Sequence, residues 1–258
     1  LELFKNNKVV SWHEHVSPVD RESWELDRER TDKMVEAAKR LYIDKVCVSR
    51  PIAGQVIPEV FRKCNDVVYQ AMERYPDFIK GYAFVNAGYA EEAVNEIERC
   101  VNELGMIGIK LYNPYYISDP ALHPVLEKCI DLDIPILVHA GKLGYKPESQ
   151  PFISDGTHFA EAASKYPEAK LIEGHIGGGG DWQWSLKAIE DSDSVFIDTS
   201  GSVIDEGIIE QTVDYLGAER VLYAADGILS KNEKCVGKIL NAKISEKEKI
   251  EILNNKKL

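Results

Sequence analysis

Eight short apolar runs, each followed by a polar or glycine-containing turn and then by a segment of helical spacing, set the strongest limit on what this chain can become. They are KVVSW (8–12), KVCVS (45–49), KGYAFVN (80–86), GIKLY (108–112), IPILVH (134–139), AKLIEG (169–174), SVFIDT (194–199) and RVLYAA (220–225). Between them lie stretches such as DKMVEAAKRLY, EEAVNEIERCVNEL, HPVLEKCIDL and SEKEKIEIL, whose apolar residues fall three and four apart with charges on the other side. Nearly continuous apolar strands alternating with amphipathic helices imply a parallel sheet covered by helices. Eight units predict a closed (β/α)8 TIM barrel, with an open doubly wound sheet as the alternative. No linker or shift of composition divides the 258 residues, so a single domain over 1–258 is expected. The longer connections at 13–30 and 140–156 are expected to lie over the barrel mouth as lids.

Charge and cysteine content narrow the function. With 31 basic against 43 acidic residues the net charge is −12, which disfavours nucleic acid and anionic membranes as partners and points to a small-molecule substrate. The five cysteines, Cys47, Cys64, Cys100, Cys129 and Cys235, form no CxxC pair and are odd in number, which fits a reducing, cytoplasmic setting. No apolar stretch approaches the roughly 20 residues of a membrane span, and the N-terminus carries no apolar leader core. The first residue is not Met, which leaves a trimmed leader open. A homo-oligomer is possible, although no surface stripe marks an interface.

In a parallel barrel the active site lies at the carboxyl ends of the strands. His13 and His15 end the first run, and as i and i+2 on a strand they point to the same side. His139 ends the fifth run, His175 follows the sixth in LIEGHIGGGG, and Asp226 follows the eighth in VLYAADG. Four of the six histidines and one aspartate therefore gather at one end. Neutral imidazoles with a carboxylate are the donors preferred by Zn²⁺ and similar divalent ions, so convergence on a metal is expected. His123 and His158 begin helical segments and are read as helix-start polar residues. Arg50, after the second run, can pair with a substrate carboxylate through its planar fork or make a surface salt bridge. Tyr112, Asn113 and Trp12 also stand at strand ends, where an aromatic side chain can pack a substrate ring or plug the barrel; Tyr112 is read as a substrate contact and Trp12 as a plug. The glycines at 177–180 lack the spacing of a phosphate loop and are read as a tight turn beside His175.

The HxH of WHEHV, GIKLY, PILVHAG, GHIGGG, DTSG and the Asp of AADG, in that order and on those strands, resemble the amidohydrolase superfamily, in particular the amidohydrolase-related (amidohydrolase 2) branch of metal-dependent TIM-barrel enzymes. The resemblance spans nearly the whole chain. It implies His13, His15, His139 and Asp226 as metal ligands and His175 as a residue that contacts or activates metal-bound water. It also implies one divalent ion per chain, with Zn²⁺ expected. Some members carry a carboxylated lysine that bridges two metals, so Lys110 in GIKLY leaves a binuclear centre open, the other reading being a salt-bridged or substrate-orienting lysine. Two departures stand out: Ser11 occupies a position where many relatives have Asp, and DGIL follows where many have a Pro two residues after the aspartate.

The leading expectation is a metal-dependent hydrolase of a small, carboxylate-bearing amide, ester or lactone. The metal would lower the pKa of its water from about 15.7 toward about 7, with His175 or Asp226 taking the proton. The alternatives are a metal-dependent, non-oxidative decarboxylase of a small aromatic or unsaturated acid, and an inactive barrel that serves as a binding protein.

Overall fold

The computed structural model describes residues 1–141, 150–178, 181–255 and 257–258, with the backbone alone for 230–233. Eight parallel strands follow one another around a single sheet in chain order. They are β1 (Val10–His15), β2 (Lys45–Ser49), β3 (Ile79–Phe84), β4 (Gly108–Leu111), β5 (Ile136–Val138), β6 (Leu171–Glu173), β7 (Val195–Asp198) and β8 (Val221–Leu222). Helix α1 (Glu2–Asn6) precedes β1, and α2 (Arg28–Arg40), α3 (Pro58–Arg74), α4 (Ala90–Glu98) and α5 (His123–Asp131) follow the first four strands. Behind β5 to β8 come α6 (Gly156–Lys165), α7 (Trp182–Ile189), α8 (Ile208–Leu216) and α9 (Ile228–Asn241), with α10 (Glu246–Leu253) last. The first and last strands meet through Trp12 N–H on the Tyr223 carbonyl and Asp226 N–H on the His13 carbonyl, each 2.9 Å. The result is the (β/α)8 barrel expected, rather than an open sheet.

The period of two in the strands sorts the side chains into two cores. Val46, Val48, Ile109, Leu111, Ile136, Val138, Val195 and Ile197 face outward into the layer beneath the helices. Val10, Trp12, Cys47, Tyr82, Leu137, Ile172, Phe196 and Leu222 fill the barrel interior. Trp12 plugs the interior, as expected. The polar residues Lys110 and Asp198 keep the inward phase of their strands, one step beyond this apolar layer.

An irregularity in β1 sets the site. Ser11 pairs with Val46 and Glu14 with Val48, so Trp12 and His13 together oppose the one residue Cys47. This bulge lets two consecutive side chains turn inward, Trp12 into the apolar layer and His13 above it, after which His15 resumes the inward phase opposite Ser49. The strand thus runs through residues 13–15, so the expected first lid begins only at residue 16, and α2 begins at Arg28. Residues 142–149, the bulk of the second expected lid, lie outside the described residues, as do Gly179 and Gly180. Among the described residues no helix is long and apolar enough to cross a membrane.

Candidate metal centre

Seven of the eight strands or the turns after them deliver polar groups to one end of the barrel. His13 is buried with Nδ1 2.8 Å from Asp198 Oδ2 and Nε2 2.8 Å from Lys110 Nζ. His15 places Nε2 3.2 Å from Asp226 Oδ1 and Nδ1 3.0 Å from Ser49 Oγ. His175 sets Nε2 2.8 Å from His139 Nδ1, Nδ1 2.8 Å from Ser200 Oγ, and the same nitrogen 3.9 Å from Asp226 Oδ2. Among the described residues two sets have donor atoms all within 4.8 Å of one another, His13 with His15 and Asp226, and His13 with His175 and Asp198. His13 belongs to both.

The hydrogen-bond network fixes ring orientation. Lys110 donates to Nε2 of His13, which leaves the Nδ1 proton to point at Asp198. Asp198 also receives the backbone N–H groups of His175 (3.1 Å) and Ser200 (2.9 Å), together with the Ser200 hydroxyl. Burial works against its charge, yet His13, His175 and Ser200 hold its carboxyl well below the usual range. Asp226 behaves alike: burial opposes its charge, but the hydrogen bond to His15 and the neighbouring imidazoles hold it far down. Burial lowers His175 to about 3 and pushes His139 well below its ordinary value, so both are neutral at pH 7 with a lone pair to give. Burial also draws the Lys110 amine down to about 8, against the pull of Asp198 and Asp226.

Backbone strain concentrates at the same place. His175 (φ 69°), Ile176 (φ 48°) and Asp226 (φ 46°) all adopt the left-handed region that side chains with a Cβ seldom enter. The turn after β6 continues through Gly178 at φ 49°, where a Cβ would come within 2.2 Å of the Ala140 carbonyl oxygen. Glycine is required there, in keeping with a tight turn beside His175.

The donor set fits a divalent cation on the structure's own terms. Nε2 of His139 is buried and has no hydrogen-bond partner among the described residues, while its Nδ1 is engaged by His175. An orphaned ring nitrogen among neutral imidazoles and two ionised carboxylates is the arrangement a cation satisfies. At the His15 and Asp226 edge of this cluster opens a cavity of about 360 Å³, lined also by Glu14, Arg30, Met34 and Ile228, which is within the roughly 300–1,000 Å³ of small-molecule sites.

The other expected residues divide. Tyr112 stacks on His139, with ring centroids 4.6 Å apart. Lys110 points inward and is fully buried, which resolves its open direction. Arg50 is half-buried with Nη1 on the Pro51 carbonyl (3.1 Å) and has no bond to the imidazole cluster among the described residues. Asn113 is buried, and neither its Oδ1 nor its Nδ2 has a partner among them. His123 opens α5, and His158 completes the capping box of Asp155 at the start of α6, as helix-start residues do. The sequence reading passed over Asp198, Ser200 and Glu14. Asp198 stood within the DTSG motif, but only its inward phase on β7, next to Phe196, reveals its partner. Glu14 faces outward between the two histidines, and burial pushes its carboxyl up to about 8.

The family model described as Amidohydrolase matches residues 52–255. Gamma-resorcylate decarboxylase of Polaromonas sp. is 24% identical, over 75% of this chain and 73% of its own length. The 2-keto-4-carboxy-3-hexenedioate hydratase of Sphingobium sp. is 23% identical, over 64% of this chain and 54% of its own. In fold the chain is similar to 2,6-dihydroxybenzoate decarboxylase complexed with 2,6-dihydroxybenzoate (TM-score 0.75, 16% identity, 96% of this chain and 97% of that one). It is also similar to the dihydroxybenzoic acid decarboxylase of Polaromonas sp. with bound manganese and an inhibitor (TM-score 0.73, 18% identity, 96% and 94%). These relatives overturn the expected hydrolysis: they are decarboxylases and a hydratase, not enzymes that cleave amides, esters or lactones. The sequence could not separate the reactions, because a His/Asp metal site serves water activation and carboxylate binding equally well. Nor do the relatives support Zn²⁺, since the ion bound in the Polaromonas structure is manganese. The reading as an inactive binding barrel falls for the same reason, the relatives being enzymes. The match across most of its length, together with the imidazole and carboxylate cluster at the barrel mouth, makes this chain a member of the amidohydrolase family of enzymes.

Proposed function

We propose that the protein is a metal-dependent, non-oxidative decarboxylase of a small aromatic or unsaturated carboxylic acid. The observation that carries this reading is the His13, His15 and Asp226 cluster beside a cavity of about 360 Å³, in a chain similar along most of its length to gamma-resorcylate decarboxylases. His13, His15, His139 and Asp226 are the residues that would hold the ion, and Mn²⁺ is preferred to Zn²⁺. When bound, a divalent ion supplies positive charge that neutralises and orients substrate oxygens.

The remaining work belongs to the chain. Loss of carbon dioxide breaks a carbon–carbon bond and leaves the electron pair on carbon, so that carbon must gain one proton. Asp226 is the proposed carrier, ionised at rest and taking up the proton only once substrate is bound. Its carboxyl borders the cavity, and His15 at 3.2 Å and His175 at 3.9 Å can relay a proton to it. His175 also orients His139 through the 2.8 Å contact between their ring nitrogens. Lys110 supplies a buried amine that can meet a substrate oxygen, and Tyr112 keeps the His139 ring in plane by stacking. Arg50, turned onto Pro51, would have to swing to meet a carboxylate.

The test is carbon dioxide release from 2,6-dihydroxybenzoate and 5-carboxyvanillate by Mn²⁺-loaded protein, run in deuterated water. Release with one deuterium at the vacated carbon, abolished in Asp226→Asn, is the expected result. No release from either acid, or from a wider set of hydroxybenzoates, would sink the decarboxylase reading.

A further inference from the structure

Four consecutive backbone amides in the turn after β8 are bonded to β1. Ala225 N–H donates to Ser11 Oγ (3.3 Å) and Asp226 N–H to the His13 carbonyl (2.9 Å). Gly227 N–H (2.9 Å) and Ile228 N–H (3.2 Å) both donate to Oε2 of Glu14. The Ser11 hydroxyl in turn donates to Oε1 of Glu14 at 3.3 Å, so the side chains on either side of His13 form one clamp. Glu14 is 1% exposed and sits opposite Val48 on the outward face of β1, where it lines the same cavity as His15 and Asp226.

What the clamp holds is a strained turn. Asp226 has φ 46° and Gly227 φ 124°, and β8 ends at Leu222, so little regular pairing supports this segment. Without a partner on the next two amides, the left-handed Asp226 would relax toward ordinary dihedrals and carry its carboxylate off His15. A carboxyl oxygen accepting two successive amides at the start of α9 is a fixed point, since a side-chain oxygen that satisfies the first amides of a helix stabilises that end. These are also the two places, Ser11 and the residues after Asp226, where the sequence departs from the pattern it resembles.

We propose that Glu14 is the positioning residue that holds Asp226 in register with His13 and His15, so that metal affinity depends on a side chain that does not touch the metal. The proposal rests on the reading of this cluster as a metal centre. Titration calorimetry with Mn²⁺ on the full chain, comparing wild type, Glu14→Ala, Glu14→Asp and Glu14→Gln alongside their thermal midpoints, tests it. The Gln carbonyl oxygen can accept both amides, as Oε2 alone does, whereas Asp is one methylene too short.

Glu14→Ala and Glu14→Asp should therefore bind Mn²⁺ about 10- to 100-fold more weakly, the size seen when groups that orient metal ligands are removed. Glu14→Gln should stay close to wild type. A folded Glu14→Ala that binds Mn²⁺ as wild type does overturns the proposal and leaves Glu14 a purely structural group. If Glu14→Ala does not fold, Glu14→Asp decides in its place, equal affinity to Glu14→Gln being the overturning result. No Mn²⁺ uptake by wild type would instead remove the metal centre itself, and the proposal with it.

Discussion

Lys110 Nζ lies 2.8 Å from Nε2 of His13, on the ring nitrogen that Asp198 leaves open. An ammonium hydrogen-bonded to that lone pair competes with a divalent ion for it, and the two charges repel. Two like unit charges about 4 Å apart repel by up to about 4 kcal/mol at an effective dielectric of 20. Lys110→Met should accordingly bind Mn²⁺ more tightly than wild type, by roughly tenfold for each 1.4 kcal/mol relieved. Calorimetry reads this directly, and a weaker affinity would mean that the amine assists the ion rather than opposing it.

Asp198 collects the His13 ring, two backbone amides and the Ser200 hydroxyl, so it fixes both the tautomer of His13 and the strained turn at His175. Asp198→Asn keeps the shape but offers one acceptor fewer. Metal affinity should drop about 10- to 100-fold, as for other groups that orient ligating imidazoles. Circular dichroism spectra matching wild type, with affinity lost, would separate this from unfolding.

Away from the site, Asp32 receives Nε and Nη2 of Arg74 at 2.6 Å each and the Tyr75 hydroxyl at 2.7 Å. These hydrogen bonds lower its carboxyl to about 2 from an ordinary 3.8. A depressed folded value means that the unfolded chain takes up the proton first. The contribution to stability is therefore complete above pH 4 and disappears as pH falls toward 2. Thermal midpoints of wild type and Asp32→Asn should differ at pH 6 and converge near pH 2. A constant gap across that range would contradict the assignment.

All five cysteines are buried, and none forms a disulfide among the described residues. Burial pushes the Cys47 thiol up to about 12 and Cys64 up to about 11, which leaves almost no thiolate at neutral pH. The native protein should not react with a thiol-specific disulfide reagent on the timescale of minutes, whereas denatured protein should release five equivalents. Reaction of even one thiol in the native state would point to local opening.

The barrel was legible because its evidence is local: KVCVS coincides with β2, and GIKLY with β4 extended by Tyr112. His13, His139 and His175 were legible for the same reason, each following an apolar run, and His15 by its spacing of two from His13. Partners across the barrel were not. Glu14 looked like the variable residue of HxH, and nothing in WHEHV announces a bulge that turns Trp12 and His13 inward together. Asp198 lay in plain view inside DTSG, yet its bond to His13 spans 185 residues of sequence. Arg50 shows the opposite failure: a strand-end position was legible, but its rotamer on the Pro51 carbonyl was not. The chemistry of the reaction was least legible of all, since the same imidazoles can serve hydroxide attack or loss of carbon dioxide.

The seam between β1 and the turn after β8 bears on how the molecule matures. His13 and Asp226 are neighbours in space, yet nearly the whole barrel separates them along the chain. On a ribosome the first two histidines emerge early and wait, without their aspartate, until the eighth strand has been made. Contacts of such long range slow folding, because the loop-closure entropy is lost before the contact forms. A chain stalled before that strand would expose the edges of its sheet and lack part of its proposed ligand set. Metal uptake followed during refolding would then report barrel closure, and capture of the ion would be among the last events in assembly.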